Sequence, residues 1–261
     1  MTDENVEASP VEIALRPAGD VARFGLVALS TDLTTEGDMA LLLPPGAALH
    51  VSRVAFENPT TPANLARMAP RLTGAADLLV PGAALRAIYY ACTAASVAMG
   101  DDYVREAVQA ARPGVPVVTP TGAASAGFKA LGVGRVALLT PYLPETTAPM
   151  AAYFSAQGLD VRRTHCMGLA DDRDIARVAP EAILAAAQAV DCPEAEALFI
   201  SCTALPAAAL VPRIEAAIGK PVLTSNQAGA WALARAGGFG GHRPAAGGRL
   251  FQAAPAESAA R

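Results

Sequence analysis

Short runs of apolar and β-branched residues alternate with alanine-rich stretches along most of the chain. The runs have the length of buried strands and the stretches have the length of helices, so the pattern predicts strands separated by helices. Apolar strands joined by helices favour parallel sheets covered on both faces, an α/β architecture. The predicted strands are 23–31, 50–56, 87–93, 115–120, 135–141, 160–166, 197–203 and 220–225, and the predicted helices are 61–73, 101–112, 122–131, 144–157, 172–190, 206–218 and 227–236.

Three segments of the first half recur in the same order in the second half, at offsets of 110, 112 and 105 positions. This similarity has two possible explanations. Either βα units resemble one another in general, or the chain arose by duplication of one α/β unit. The common order and the nearly constant offset favour duplication around a pseudo-two-fold axis. The pairs are YACTAAS (90–96) with ISCTALP (200–206), RFGLVALSTD (23–32) with RVALLTPYLP (135–144), and VPVVTPTGAASAGFKALG (115–132) with KPVLTSNQAGAWALARAGG (220–238).

The duplication predicts two α/β lobes. The first comprises 21–118 plus 225–240, and the second comprises 119–224. We expect tails at 1–20 and 241–261, and an irregular or partly disordered chain from residue 237 onward, because that end is rich in glycine, alanine and proline.

Composition narrows the function classes. The chain is 52% apolar and 17% charged, carries a net charge of -4, and has no run of lysine or arginine, so we expect neither nucleic acid nor a membrane as partner. The three histidines and four cysteines show no metal-ligand spacing, so no metal is expected. The start, MTDENVEASP, lacks an apolar segment, which predicts no signal peptide and a cytoplasmic protein.

Cys92 and Cys202 hold corresponding positions in the repeat, and each closes a strand run before a helical stretch. At the carboxyl edge of a parallel sheet such residues meet ligands, and a helix start favours a thiolate. We expect Thr93 and Thr203 to be N-caps there. Two thiols on opposite sides of a substrate carbon can remove a proton from one face and deliver one to the other. The alternative, a small buried side chain, is the interpretation for Cys166 and Cys192, which have no repeat partner.

The segments ACTAAS, RVALLTPYLPE, LFISCTALP and KPVLTSNQAGAWALARAGG resemble the aspartate/glutamate racemase superfamily over residues 23–238. Within it they are most similar to the branch of maleate isomerase and arylmalonate decarboxylase. The segments DLTTEGD and LADDRDIARV are most similar to the ectoine-utilisation racemase-like proteins of that branch.

The resemblance implies a cofactor-independent enzyme of two pseudo-symmetric Rossmann-like lobes with parallel sheets and an active site in the cleft between them. Cys92 and Cys202 then match the paired catalytic cysteines, whereas the decarboxylases keep only the second. Tyr142 matches a tyrosine that binds a substrate carboxylate, and Thr93 and Thr203 match the hole that receives it. A homo-oligomer is expected by the same analogy.

Asp32 and Asp172 stand where we align asparagines of the maleate isomerases that contact substrate carboxylates. An ionised aspartate only accepts hydrogen bonds, so these residues predict a substrate with one carboxylate and a cationic or donor group. The alternative is that they are cap or surface residues.

The sequence therefore predicts a racemase or epimerase of a small carboxylate-bearing substrate, an amino acid or an ectoine-derived compound. The alternatives are a cis-trans isomerase acting by thiolate addition, a decarboxylase of the same superfamily, and a binding protein without activity.

Overall fold

Eight strands form two parallel sheets in the computed structural model, which describes residues 7–253. Their bounds are β1 (Arg23–Leu29), β2 (Ala48–Val54), β3 (Ala87–Ala91), β4 (Val117–Val118), β5 (Arg135–Thr140), β6 (Asp160–Cys166), β7 (Ala197–Ile200) and β8 (Val222–Thr224). One sheet has the order β2-β1-β3-β4 and the other has the order β6-β5-β7-β8. The second sheet thus repeats the topology of the first, and the predicted two-lobed α/β fold class is confirmed.

Twelve α-helices connect and cover the strands of this part of the chain. They are α1 (Thr35–Leu42), α2 (Pro62–Ala66), α3 (Leu72–Asp77), α4 (Thr93–Met99), α5 (Asp101–Ala111), α6 (Pro120–Leu131), α7 (Pro144–Ala156), α8 (Asp172–Ile175), α9 (Pro180–Val190), α10 (Val211–Ile218), α11 (Ser225–Ala236) and α12 (Gly248–Gln252). Three 3-10 turns lie at Ala69–Arg71, Ala208–Leu210 and Ala245–Gly247.

The central strands β3 and β7 are buried along their whole length. Both sheet faces are covered by helices, which explains why these strands are continuous apolar runs rather than alternating ones. Their carboxyl ends carry the segments that contain Cys92 and Cys202.

The helices that follow β4 and β8 pack across the two halves. The ring of Phe128 in α6 meets the ring of Phe199 in β7 at 5.8 Å. Gly229 of α11 lies against Tyr89 of β3, where an added Cβ would come within 2.4 Å of the tyrosine ring. This close approach brings the start of α11 to the end of β3, and the Tyr89 hydroxyl donates to the Ser225 carbonyl at 3.0 Å.

All eight predicted strands are present, but several predicted helices differ. The stretch 172–190 is two helices, because Pro180 starts α9 and restricts the residue before it. The stretch 61–73 is likewise divided, by a 3-10 turn that contains Pro70. Helices α1 and α4 are absent from the predicted set, since both are short and follow strands closely.

The expectation of an irregular end from residue 237 is wrong for residues 245–252. A 3-10 turn and α12 form there, and Leu250 and Phe251 are buried. Two apolar side chains therefore anchor a segment whose composition alone indicated a tail. The outer parts of the predicted tails, 1–6 and 254–261, lie outside the described residues. Within residues 7–253 no helix is long and apolar enough to cross a membrane.

Candidate active site

Cys92 occupies the N-cap position of α4, directly after β3. The backbone N–H of Ala95 acts to lower the pKa of this thiol. The first N–H groups of a helix have no acceptor within the helix, so they are free to stabilise a negative charge. Cys92 therefore has the local setting predicted for it, at the start of a helix.

Cys202 follows β7 but is not followed by a helix. Pro206 restricts Leu205 and lacks an N–H, so a helix cannot begin here as it does after Cys92. The next α-helix starts only at Val211. The expectation that Cys202 precedes a helical stretch is thus wrong, and a loop, residues 201–207, holds this thiol. We call it the Cys202 loop.

Within the Cys202 loop the sulfur of Cys202 accepts the N–H of Ala204 at 3.3 Å. The N–H of Leu205 also acts to lower the pKa of this thiol. An irregular loop thus provides Cys202 with the same kind of donors that a helix start provides for Cys92. The two thiols have separate sets of backbone donors.

The structure brings the two thiols together. The hydroxyl of Thr203 donates to the carbonyl of Ala91 at 3.1 Å, which joins the residues adjacent to the two cysteines. Only 5% of Cys92 and 3% of Cys202 are exposed. A negative charge on Cys202 raises the pKa of Cys92, which reflects their proximity. The pair lies where the carboxyl edges of the two sheets meet.

The Thr93 and Thr203 side chains do not cap helices, contrary to expectation. Cys92 itself holds the N-cap position, and the Thr93 hydroxyl donates to the Ser225 hydroxyl at 2.8 Å. Both threonine hydroxyls therefore bind across the two halves. As the first residue of α4, Thr93 still has a backbone N–H without an acceptor inside the helix.

Tyr142 lies just beyond β5 and is 2% exposed. Its hydroxyl lies close enough to the thiol of Cys202 for each group to affect the pKa of the other. Burial raises the pKa of Cys202 to about 12 and the charge on Asp172 adds to this, whereas the Tyr142 hydroxyl and the loop N–H groups lower it. Burial also raises the pKa of Cys92 well above its ordinary value. Both thiols are therefore neutral at pH 7 before a ligand enters.

Of the carboxylates, Asp172 has the largest effect on the two thiols. Its charge is the second cause, after burial, of the raised pKa of each thiol. It is 4% exposed and accepts the Thr31 hydroxyl at 2.9 Å and the Thr60 hydroxyl at 3.3 Å. Burial raises its own pKa to about 6. Asp172 is thus a buried carboxyl group with a raised pKa rather than the surface residue named as an alternative.

Asp32 is held by its own turn. Its carboxylate accepts the N–H of Thr34 and the N–H of Thr35, each at 2.8 Å, and the Thr35 hydroxyl at 2.6 Å. These bonds close the turn that leads into α1, which is the cap role named as the alternative. Asp32 is buried, and its charge contributes to the raised pKa of Cys92.

The remaining cysteines differ in their surroundings. The interpretation as a small buried side chain is wrong for Cys166, which is exposed at the end of β6, and it agrees with the structure for Cys192, which is buried after α9. Sequence reasoning missed three buried polar residues beside the Cys202 loop, Thr34, Asp38 and Asn226. For Asn226 the available signal was the contrast between Thr-Pro-Thr-Gly at 119–122 and Thr-Ser-Asn-Gln at 224–227 in the two copies of the repeat, and for Thr34 and Asp38 it was their place in the segment DLTTEGD.

Two parallel-sheet lobes that each end a central strand at a buried thiol define the class of protein, an α/β enzyme fold built around a pair of cysteines. The chain belongs to the arylmalonate decarboxylase family, whose model matches residues 61–251. The resemblance to the branch of maleate isomerase and arylmalonate decarboxylase is confirmed.

Known relatives cover most of the chain. The maleate isomerase of Nocardia farcinica is 32% identical over 82% of this chain and 90% of its own. Two solved structures are similar over nearly their whole length. A cysteine-to-serine variant of the Nocardia farcinica maleate cis-trans isomerase, with a covalently bound succinylcysteine intermediate, is 30% identical over 88% of this chain and 98% of its own, with a TM-score of 0.80. A cysteine-to-alanine variant of the maleate isomerase of Pseudomonas putida S16, with maleate, is 26% identical over 90% and 98%, with a TM-score of 0.82.

Proposed function

We propose that the protein is a cofactor-independent isomerase that inverts a small carboxylate-bearing substrate by proton transfer between Cys92 and Cys202. The observation that carries this proposal is that each thiol ends an equivalent strand and has its own backbone N–H donors. Because either sulfur can hold the negative charge, either can act as base while the other acts as acid. That symmetry is what inversion in both directions requires.

The reaction balances without a redox partner. One thiolate takes the α-proton, the electron pair of that C–H bond moves into the carboxylate group, and an enediolate forms. The second thiol then donates its proton to the opposite face of the carbon, and the charge ends on its sulfur. The Thr93 N–H is a donor we assign to the substrate carboxylate, because an enediolate is stabilised by donors already aimed at its oxygens. The Tyr142 hydroxyl has one proton, so we assign it to the carboxylate in place of its interaction with the Cys202 sulfur when substrate binds.

The charge of the site favours a substrate with a cationic or hydrogen-bond-donating group. Asp172 is buried and raises the pKa of both thiols. An ammonium or amidine beside Asp172 would neutralise that carboxylate and make a thiolate easier to form. A dicarboxylate would instead meet Asp172, with Asp32 behind it, and pay for like-charge repulsion in a partly desolvated site. An amino acid or an ectoine-derived acid satisfies this requirement. Direct substrate contact by Asp32 remains part of the proposal.

The second candidate is a cis-trans isomerase in which a thiolate adds to a double bond, the bond rotates, and the thiolate leaves. Its support is the relationship to proteins named maleate isomerase and the succinylcysteine intermediate bound in the Nocardia farcinica enzyme. In this candidate one of the two thiols, Cys92 or Cys202, adds to the double bond and the other supplies a proton.

The deciding experiment is a screen of amino acids, diaminobutyrate, ectoine-derived acids and dicarboxylates in D₂O, read by chiral chromatography and mass spectrometry. The first proposal expects inversion with one deuterium at the α-carbon. The second expects conversion of a cis-alkene with its vinylic hydrogens largely retained. Efficient isomerisation of maleate would contradict the charge argument, and no turnover of any compound, with binding intact, would indicate a binding protein. The Cys92→Ser and Cys202→Ser variants are the blanks, and Cys166→Ser is the matched control.

A further inference from the structure

The peptide unit between Thr203 and Ala204 has both its polar ends in use. Its N–H points to the Cys202 sulfur at 3.3 Å, and its carbonyl oxygen accepts the side-chain amide of Asn226 at 2.8 Å. In a planar trans peptide these two groups point in opposite directions. Holding the oxygen therefore fixes the direction of the N–H, which is the donor that stabilises a thiolate at Cys202.

The amide of Asn226 can be oriented in only one way. Its nitrogen donates to the Thr203 carbonyl and to the Asp38 carboxylate, each at 2.8 Å. The flipped amide would place its oxygen against two acceptors. The Asn226 oxygen is buried and has no hydrogen-bond partner among residues 7–253. A buried acceptor without a partner is costly. The amide keeps this orientation despite that cost because its nitrogen donates two hydrogen bonds that the flipped amide could not make.

Asp38 holds the other side of the Asn226 amide. It lies in α1 and is 8% exposed, whereas Asn226 is 1% exposed. Burial raises the pKa of Asp38 to about 7, the hydrogen bond from Asn226 lowers it, and the charge of Asp32 raises it. A carboxylate in this position is consistent with a charge-assisted bond to the amide, and such bonds are stronger than neutral ones.

A second contact from the same region holds the next peptide unit. The Thr34 hydroxyl donates to the Ala204 carbonyl at 2.7 Å. The Cys202 loop thus receives its shape from α11 on one side and from the start of α1 on the other. Cys92 needs no such support, because α4 orders its donors locally.

We infer that Asn226, oriented by Asp38, is a positioning residue that aims the Ala204 N–H at the Cys202 sulfur. The inference rests on the proposed function only in taking Cys202 as a reacting thiol. It predicts that removing the amide makes the Cys202 thiol less acidic and leaves Cys92 unchanged.

The test is alkylation by iodoacetamide, followed for each cysteine-containing peptide by mass spectrometry between pH 7.5 and 9.5, a range of about two units within which the rate follows the thiolate fraction. No substrate is needed, so failure of the isomerase proposal does not affect the result. In Asn226→Ala we expect Cys202 to react roughly tenfold more slowly at each pH, as for a pKa higher by about one unit, and Cys92 to react as before. The side chains that otherwise set the Cys202 titration, Asp172 and Tyr142, are unchanged in this variant.

Matched variants keep the test decisive. Ser225→Ala, one residue earlier, removes the partner of Thr93 and is expected to leave the Cys202 rate in place. Asp38→Asn retains an acceptor facing Asn226, and we expect a smaller loss at Cys202, about threefold, because a neutral acceptor bonds more weakly. If Asn226→Ala does not fold, Thr34→Val tests the same loop through the Ala204 carbonyl. An unchanged or faster Cys202 reaction in folded Asn226→Ala, or an equal slowing of Cys92, would overturn the inference.

Discussion

The two cysteines hold equivalent positions in the duplicated fold but are supported in different ways. Cys92 ends β3 and starts α4, so its donors belong to a helix that forms from neighbouring residues. Cys202 ends β7 and lies in a loop whose carbonyls are held by side chains far away in the sequence. The sequence Cys-Thr-Ala is the same in both copies, but in the second copy it is followed closely by Pro206, which lacks the backbone N–H that a helix after Cys202 would need. A duplicated motif can therefore conserve a reacting group while its support moves from local to long-range contacts.

Replacing either thiol is the change with the largest expected effect. Cys92→Ala and Cys202→Ala should each reduce inversion by about 10²–10⁴-fold, the range for loss of a positioned acid or base. Turnover of a substrate found in the screen, measured by chiral chromatography, checks this. Cys166→Ala is the control and should stay within a few-fold. Full activity of Cys92→Ala would show that the thiol in the first copy of the repeat is not needed. It would favour the pattern of the decarboxylases, which keep only the second cysteine.

Tyr142→Phe tests the contribution of the Tyr142 hydroxyl, which acts on the Cys202 thiol and has no counterpart at Cys92. Loss of this hydroxyl should cost about 1–3 kcal/mol of transition-state stabilisation, with little change in melting temperature. The kinetic constants and a thermal melt of the same sample measure this.

A matched control for Tyr142→Phe is Tyr90→Phe in β3. The Tyr90 hydroxyl is buried and has no hydrogen-bond partner within the described part of the chain, so its removal should leave turnover unchanged. A Tyr142→Phe protein that melts several degrees lower but turns over normally per folded molecule would mean that Tyr142 only packs the core.

The sequence predicts the features of the two cysteines that depend on local patterns. It does not predict the features that depend on contacts between residues far apart in the chain. Strand runs, the repeat and the position of Cys92 and Cys202 depend on local patterns, and those predictions agree with the structure. The supports of the Cys202 loop depend on contacts such as Asp38 with Asn226, which lie 188 positions apart. Ordinary polar residues carry no sign of a distant partner. For the same reason the sequence misassigned Thr93 and Thr203 as caps, although their hydroxyls bind across the two halves.

Asp172→Asn tests two consequences of the Asp172 charge, its cost to stability and its contribution to turnover of a cationic substrate. The pKa of Asp172 is about 6 in the folded protein and 3.8 as an ordinary side chain, so the folded state binds more protons between these values. Stability therefore falls as pH rises from about 4 to 6, and the cost is complete above that window. Asp172→Asn removes the ionisation and should stabilise the protein by up to about 3 kcal/mol at pH 8.

Thermal or urea unfolding at pH 4, 6 and 8 measures this effect, with Asp174→Asn as the control at an exposed carboxylate of the same helix. The gain from Asp172→Asn should shrink toward zero at pH 4, while turnover of a cationic substrate falls at every pH. A gain that does not depend on pH would mean that repacking, rather than loss of a buried charge, stabilises the variant.

The smallest expected effect comes from removing one threonine hydroxyl beside each cysteine. It compares most directly the local support of Cys92 with the long-range support of Cys202. Thr93→Val and Thr203→Val each remove one hydroxyl that binds across the halves, so each should lower the free energy of unfolding by about 1 kcal/mol. Their consequences for the thiols should differ. The donors of Cys92 belong to α4 and stay in place without the Thr93 hydroxyl, so its rate of alkylation by iodoacetamide should change little. Thr203 is itself part of the Cys202 loop, and loss of its bond to the Ala91 carbonyl should slow the reaction of Cys202 by a factor of a few. Urea unfolding and peptide-resolved alkylation measure both effects in the same preparations. Equal slowing of the two cysteines in their respective variants would mean that α4 gives Cys92 no independent support.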